Sequence, residues 1–140
     1  MIDDLEYKEK IYIFFDFLIT EFGFEQSKEI FNGNMFYDIQ FKDTERIVSI
    51  SYENVEDYLL VIIYILENDI LPNYDDKSKT LHLSYLTKFI FPKIDKNEII
   101  LNNESFSHMH ESSKFGKRLL KMAKDLRLCL KFFNKFPKIE

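Results

Sequence analysis

The stretch MFYDIQFKDTERIVSISYENVEDYLLVIIYIL, residues 35–66, decides the fold. Its first two segments alternate apolar and polar residues with a period of two, which is typical of strands that bury one face. Polar turn residues separate the segments at positions 43–45 and at Asn54. The last segment is continuously apolar and rich in β-branched residues, which favours a central strand. We therefore predict consecutive antiparallel strands at residues 35–42, 46–53 and 56–66.

Toward the N-terminus, the pattern adds one strand and one helix. Residues 24–31 form a weak strand pattern, and the turn signal Asn32-Gly33-Asn34 joins it to the next strand as a hairpin. Residues 4–22 place apolar side chains at spacings of three and four, which predicts an amphipathic helix. Gly23 follows the last of them, at the position where a left-handed residue usually ends a helix.

Toward the C-terminus, the pattern becomes helical. Residues 80–90 predict a short helix that Pro92 ends, residues 93–103 read as irregular, and residues 105–136 predict a long helix whose start Gly116 delays to near Phe115. The expected fold class is α+β, a single domain over residues 1–140, with an N-terminal helix, a four-stranded antiparallel sheet over residues 24–66, and a short and a long C-terminal helix. The expected core residues are Phe14, Leu18, Ile39, Ile50, Ile62, Leu119, Leu126 and Phe133.

Composition predicts a cytoplasmic protein. The 140 residues contain one cysteine, Cys129, so no disulfide forms within the chain, which fits a reducing compartment. The first residues lack the basic and apolar regions of a signal peptide. The longest apolar run, residues 58–66, has nine residues, whereas a membrane-spanning helix needs about 20. We expect no contact with a membrane.

The residue types that carry common catalytic chemistry do not assemble in this sequence. The three glycines are isolated, so neither a phosphate-binding loop nor a dinucleotide fingerprint is formed. His108 and His110 are the only close pair of potential ligands, and on a helix they would point about 200° apart. Cys129 lies on the apolar stripe of the last helix, where burial is expected. We predict that the chain is not an enzyme and has no cofactor and no metal site.

Charge is distributed unevenly along the chain. Residues 1–76 contain 18 acidic and 5 basic residues, a net charge of −13, whereas residues 77–140 contain 6 acidic and 14 basic residues, a net charge of +8. One interpretation is that the halves lie side by side and neutralise each other. The other is that one half binds an oppositely charged partner.

Each half supplies one candidate binding surface. The acidic candidates for protein binding lie at predicted turns and strand ends, where charges are free to face a partner; they are Asp38, Asp43, Glu45, Glu53, Glu56, Asp57, Asp75 and Asp76. The basic candidates lie on the predicted long helix and would bind nucleic acid; they are Lys117, Lys121, Lys124, Arg127, Lys131 and Lys135. A solvated helix face explains the second set more simply, so we expect no nucleic-acid partner.

The layout resembles that of small bacterial immunity proteins of polymorphic or contact-dependent toxin systems. The residues behind this resemblance are Glu21-Phe22-Gly23-Phe24 after the first helix, and Tyr52-Glu53 and Glu56-Asp57-Tyr58 around the last hairpin turn. The resemblance implies a protein that occludes a toxin domain, often with an acidic surface against a basic nuclease; the basic last helix departs from that pattern. We expect a non-enzymatic protein-binding domain. The alternatives are a nucleic-acid-binding protein that uses the basic helix, and a homo-oligomer, such as a homodimer, of unknown role.

Overall fold

The computed structural model describes residues 1–135. The chain divides into two compact units, of which the first is Met1–His82 and the second begins at Leu83. The first unit contains helices α1 (Asp4–Phe14) and α2 (Phe17–Thr20) and strands β1 (Glu25–Asn32), β2 (Phe36–Lys42), β3 (Arg46–Glu53), β4 (Tyr58–Ile65) and β5 (Thr80–His82). The second contains helices α3 (Leu83–Ile90), α4 (Lys96–Glu104) and α5 (Lys114–Lys131).

The predicted first helix is interrupted. Asp3 caps α1 by accepting a hydrogen bond from the Glu6 amide, but the helix ends at Phe14, and α2 begins only at Phe17. The break falls at Phe15, whose φ of −105° and ψ of 15° depart from helical values. Phe14, Phe15, Phe17 and Leu18 are all buried around it. Gly23 then has the expected positive φ of 73°.

The sheet is an antiparallel meander of five strands in chain order. The four strands predicted from the sequence are present, with shifts of one or two residues at their ends. The expectation of four strands was wrong by one, since Thr80–His82, which we assigned to a helix, pairs with Ile62–Tyr64 as the fifth. Because each strand runs antiparallel to the next, the connections fall alternately at the two ends of the sheet.

The two faces of the sheet differ in polarity. One face presents Tyr37, Ile39, Phe41, Val48, Ile50 and Val61, all buried. Helix α1 packs on this face, where the Tyr7 and Tyr37 rings lie 5.0 Å apart and the Tyr7 hydroxyl donates to the Ile50 carbonyl. The opposite face, which we call the polar face, presents Asp38, Gln40, Ser49, Ser51 and Glu53 between apolar and aromatic neighbours. Sequence alternation of polar and apolar residues produced this difference.

The second unit departs from prediction in two places. Residues 93–103 are not irregular, because α4 occupies most of them, with Asp95 as its N-cap. The long helix α5 begins at Lys114 and ends at Lys131, so its predicted length was too great. Ser113 caps it, accepting a hydrogen bond from the Gly116 amide at 2.9 Å, so Gly116 lies in its first turn.

The predicted core is largely confirmed. Seven of its eight residues are buried, and the exception is Phe133, which lies beyond α5 and is only half-buried. No helix within residues 1–135 has the length and apolar character needed to cross a membrane.

Candidate functional site

The meander separates the predicted acidic residues into two groups. One end of the sheet holds the turns at residues 32–36 and 53–58, and the opposite end holds residues 42–46 and 66–79. The eight residues of β3 separate these ends by about 23 Å. Glu53, Glu56 and Asp57 lie at the first end, whereas Asp43, Glu45, Asp75 and Asp76 lie at the second. The predicted set therefore does not form one surface.

Asp38 belongs to neither end, and its predicted placement at a turn or strand end was wrong. It lies in the middle of β2 on the polar face and is 7% exposed. Its carboxylate accepts hydrogen bonds from the Ser49 hydroxyl at 2.7 Å and the Gln40 side-chain amide at 2.8 Å. The sequence of β2 does not reveal that Asp38 is buried. In an alternating pattern, a buried polar residue cannot be distinguished from an exposed one.

Ion pairs occupy several acidic residues at the second end. Asp43 pairs with Arg46 at 3.0 Å, and Asp69 pairs with Lys42 at 3.2 Å. Glu67 pairs with Lys79. The Asp43 carboxylate also accepts from the amides of Glu45 and Arg46, which fixes the turn.

A hydrogen bond from the Ser78 hydroxyl is the main cause that lowers the pKa of Asp76 at this second end. Glu45 and Asp75 are exposed. An open cleft of about 730 Å³ also lies here, and Lys42, Asp43 and Asp69 are among its lining residues. Most of the charged side chains that line this cleft form ion pairs within the chain.

Asn54 joins three segments at the first end of the sheet. Its side-chain oxygen accepts from the Ile2 amide at 3.0 Å, and its side-chain nitrogen donates to the Ile2 carbonyl at 2.8 Å. The same nitrogen lies 2.6 Å from the Asn34 carbonyl and 3.2 Å from the Tyr37 hydroxyl. These contacts hold the start of the chain beside both hairpin turns. We call the surface formed by residues 1–6, 32–36 and 53–58 the acidic end.

The acidic end contains six carboxylate side chains and no lysine or arginine; they are Asp3, Asp4, Glu6, Glu53, Glu56 and Asp57. Asp57 accepts a hydrogen bond from the Tyr52 hydroxyl at 2.5 Å. The other five form no ion pair with any residue from 1 to 135. Their negative charge is therefore not compensated by the side chains described.

Large apolar side chains are exposed among these carboxylates. Met35 is 56% exposed, Val55 61% and Tyr58 55%, and Met1 and Leu5 are also exposed. Since Met35 and Val55 lie on the two adjacent hairpin turns, where the Asn54 amide donates to the Met35 carbonyl at 2.9 Å, they belong to one surface. Exposed apolar residues close together commonly mark sites of protein association.

Several of the basic candidate residues form ion pairs or hydrogen bonds within the second unit. Lys121 pairs with Asp125 at 2.9 Å, Lys131 pairs with Glu98 at 2.9 Å, and Arg127 donates to the Asn102 side chain at 2.8 Å. Asn102 is buried and also donates to the Lys124 carbonyl, so it fixes α4 against α5. Lys117 is exposed on α5, whereas Lys135, which was predicted to lie on the same helix, is exposed beyond its end. The six candidates therefore do not form a row of uncommitted cations.

The histidine and cysteine candidates do not come together in a site. His108 and His110 are exposed in the segment between α4 and α5. Within the described part of the chain, no group of three or more metal-ligating side chains could hold a metal ion. Cys129 is buried as expected, and burial, with a smaller contribution from Asp125, raises the pKa of its thiol to about 12. That thiol is not activated as a nucleophile.

Comparisons with protein-family models, with curated proteins and with solved structures gave no match to this chain.

Sequence reasoning missed three contributors to the acidic end. Asp3 and Asp4 are not among the acidic candidates taken from the sequence, and Asn54 was assigned only to a turn. No local signal joins residue 2 to residue 54, because hydrogen bonds across 52 positions are not visible as periodicity. The absence of lysine and arginine from all three segments was the available signal.

Proposed function

We propose that this chain is a non-enzymatic binding protein whose acidic end captures a basic protein. The observation that carries the proposal is the contrast between the two ends of the sheet. Three of the six carboxylates at the second end, Asp43, Glu67 and Asp69, pair with lysine or arginine, whereas five of the six at the acidic end have no such partner among the described residues. A cationic protein surface would compensate them and would be steered toward them at long range.

The apolar residues of the acidic end supply the other part of an interface. Tyr58, Val55 and Met35 are more than half exposed, and burying such side chains against a partner provides affinity that surface charge alone does not. The surrounding carboxylates then serve as a polar rim that selects a basic partner. The hydrogen bonds of Asn54 preorganise the surface, which lowers the entropic cost of binding.

A capture experiment with paired double variants tests the proposal. The chain is immobilised as wild type, as D4N/E56Q at the acidic end, and as E45Q/D75N at the second end, and exposed to lysate of the source organism. All four substituted residues are exposed, so both double variants remove two negative charges from accessible positions. We expect a basic protein that the wild type and E45Q/D75N retain, that D4N/E56Q retains poorly, and that moderate salt releases.

Three results would contradict the proposal. The first is that no protein is retained, and the second is that all three forms retain the same proteins equally. The third is that the protein lost from D4N/E56Q is acidic. Self-association of the chain as its sole interaction, detected by sedimentation velocity, would instead favour a homo-oligomer.

A narrower proposal is that the captured protein is a toxin and that the chain is its immunity protein. The support is the layout resemblance together with an unpaired acidic surface. The test is co-expression with the product of the neighbouring reading frame: the wild type should protect cells from that product, and D4N/E56Q should protect them less. No protection by the wild type would contradict this role, while leaving capture of another basic protein intact.

A further inference from the structure

The acidic end continues onto the polar face of the sheet. The first residues of β2 and β4 and the last residue of β3 lie side by side there, because Phe36 is registered with Glu53 and Glu53 with Tyr58. Residues directly opposite in an antiparallel pair have Cβ atoms about 5 Å apart and point to the same face. Glu53 therefore has an aromatic residue on each side on the same face of the sheet, and one of the two, Tyr58, is 55% exposed.

A second carboxylate lies in the next row of the same face. Asp38 on β2 is paired with Ser51 on β3. Ser51 lies two residues before Glu53 on the same strand, which separates these two residues by about 7 Å. The two hydrogen-bond donors to Asp38, Gln40 and Ser49, lie in the row beyond it, farther from the acidic end. No described cation pairs with Asp38 although it is 93% buried, and a buried carboxylate without a counter-charge is energetically costly.

The geometry points to an arginine-binding slot formed by Phe36, Glu53 and Tyr58, with Asp38 behind them. This inference rests on the proposed capture of a basic protein and specifies what that partner inserts. A guanidinium stacks on aromatic faces and binds carboxylates through two parallel hydrogen bonds, whereas the ammonium of lysine is a compact, strongly hydrated charge. Aromatic rings on both sides of Glu53 therefore favour arginine.

Two peptides of equal charge test the slot without knowledge of the partner. The ¹⁵N-labelled chain is titrated with acetyl-hexa-arginine amide and with acetyl-hexa-lysine amide at low salt, and amide shifts are followed by NMR. We expect the arginine peptide to shift the amides of Phe36, Ser51, Glu53 and Tyr58, and to bind at least three-fold more tightly than the lysine peptide. Equal affinity for the two peptides would overturn the choice of arginine.

Variants separate the slot from the rest of the acidic end. E53Q and Y58L should each weaken the arginine peptide at least five-fold, whereas E45Q, at the other end of β3, should leave binding unchanged. D38N should also weaken it, and because D38N alters a buried group, E53Q and Y58L decide the outcome if D38N does not fold.

The remaining outcomes distinguish the slot from the proposed function. Binding that shifts only residues such as Asp4 and Glu56, and that E53Q and Y58L do not affect, would overturn the slot and leave the acidic end as the basic-protein site. No binding, or shifts confined to residues 42–46 and 66–79, would overturn both.

Discussion

Replacement of Asn54 by alanine should destabilise the chain and release its first residues. The side chain of Asn54 makes polar contacts with four groups, namely the amide and carbonyl of Ile2, the Asn34 carbonyl and the Tyr37 hydroxyl. Its two amide hydrogens serve three acceptors, so about three hydrogen bonds are lost in N54A. At a net value of about 1 kcal/mol each, reduced because water reaches this part-buried site, the expected loss is about 2 kcal/mol.

Urea unfolding followed by circular dichroism measures this loss. The midpoint should fall while the m-value stays unchanged, because the buried surface is nearly the same. The melting temperature should fall by roughly 6 °C for a chain of this size. Hydrogen exchange should also become faster at the Ile2 amide, since its acceptor is removed.

Two further variants make the result interpretable. N54D keeps the acceptor for the Ile2 amide but places a carboxylate against two carbonyl oxygens, so it should cost at least as much as N54A. Asn32, exposed at the end of β1, provides a matched control, and N32A should cost less than about 0.5 kcal/mol. If N54A and N32A are equally mild, Asn54 does not organise the acidic end.

Three other predictions concern ionisation and the second unit. Four tyrosines have a raised pKa, and burial is the largest cause in each case; they are Tyr7, Tyr12, Tyr37 and Tyr64. Their neutral forms therefore stabilise the fold below pH about 10, and this contribution should fall as pH rises further. A titration at 295 nm should show part of the tyrosine signal ionising only as the chain unfolds, and full reversible ionisation in the folded state would refute this. Cys129, buried with its thiol pKa raised, should react with a disulfide reagent at neutral pH only in denaturant; rapid labelling of the native chain would be inconsistent with its burial. Neither the wild type nor K117A/K124A should raise the fluorescence anisotropy of a labelled DNA duplex, since several basic residues of α5 are already engaged within the chain; tight, salt-sensitive wild-type binding that the variant loses would restore the nucleic-acid alternative.

Local sequence patterns predicted the centre of the first unit well. Strands β2, β3 and β4 are either alternating or continuously apolar over seven or eight residues, and turn residues bound each of them. The strand periodicity and the turn residues therefore predict the same strands. The apolar stripe similarly predicted α5, although the predicted helix was too long. In these segments the local preference and the tertiary fold point the same way.

Elements that depend on distant contacts were missed. Strand β5 has three residues and exists because Thr80–His82 pairs with β4, and its residues sit within a helical spacing that continues into α3. Helix α4 has three consecutive apolar residues, Ile99, Ile100 and Leu101, and so no amphipathic stripe. Its capping signal, Asp95 followed three residues later by Glu98, was present and would have found it.

For the candidate site, too, the features that depend on local sequence were predictable and those that depend on distant contacts were not. Composition gave the excess of acidic residues in the first part of the chain and left open whether the second part neutralises it, because which carboxylates are paired depends on contacts such as Lys42 with Asp69, 27 positions apart. The separation of Glu45 from Glu53 followed from the strand between them and was predictable. The gathering of residues 1–6 with both turns was not, because it depends on Asn54.

The most direct test of the account is the affinity of the captured basic protein for the three forms of the chain. Isothermal titration at low salt should give a dissociation constant at least ten-fold weaker for D4N/E56Q than for wild type, which corresponds to about 1.4 kcal/mol. E45Q/D75N should stay within about two-fold of wild type, since its charges lie at the opposite end of β3. Equal affinities for all three forms, or a larger loss for E45Q/D75N, would contradict the assignment of the acidic end as the binding surface.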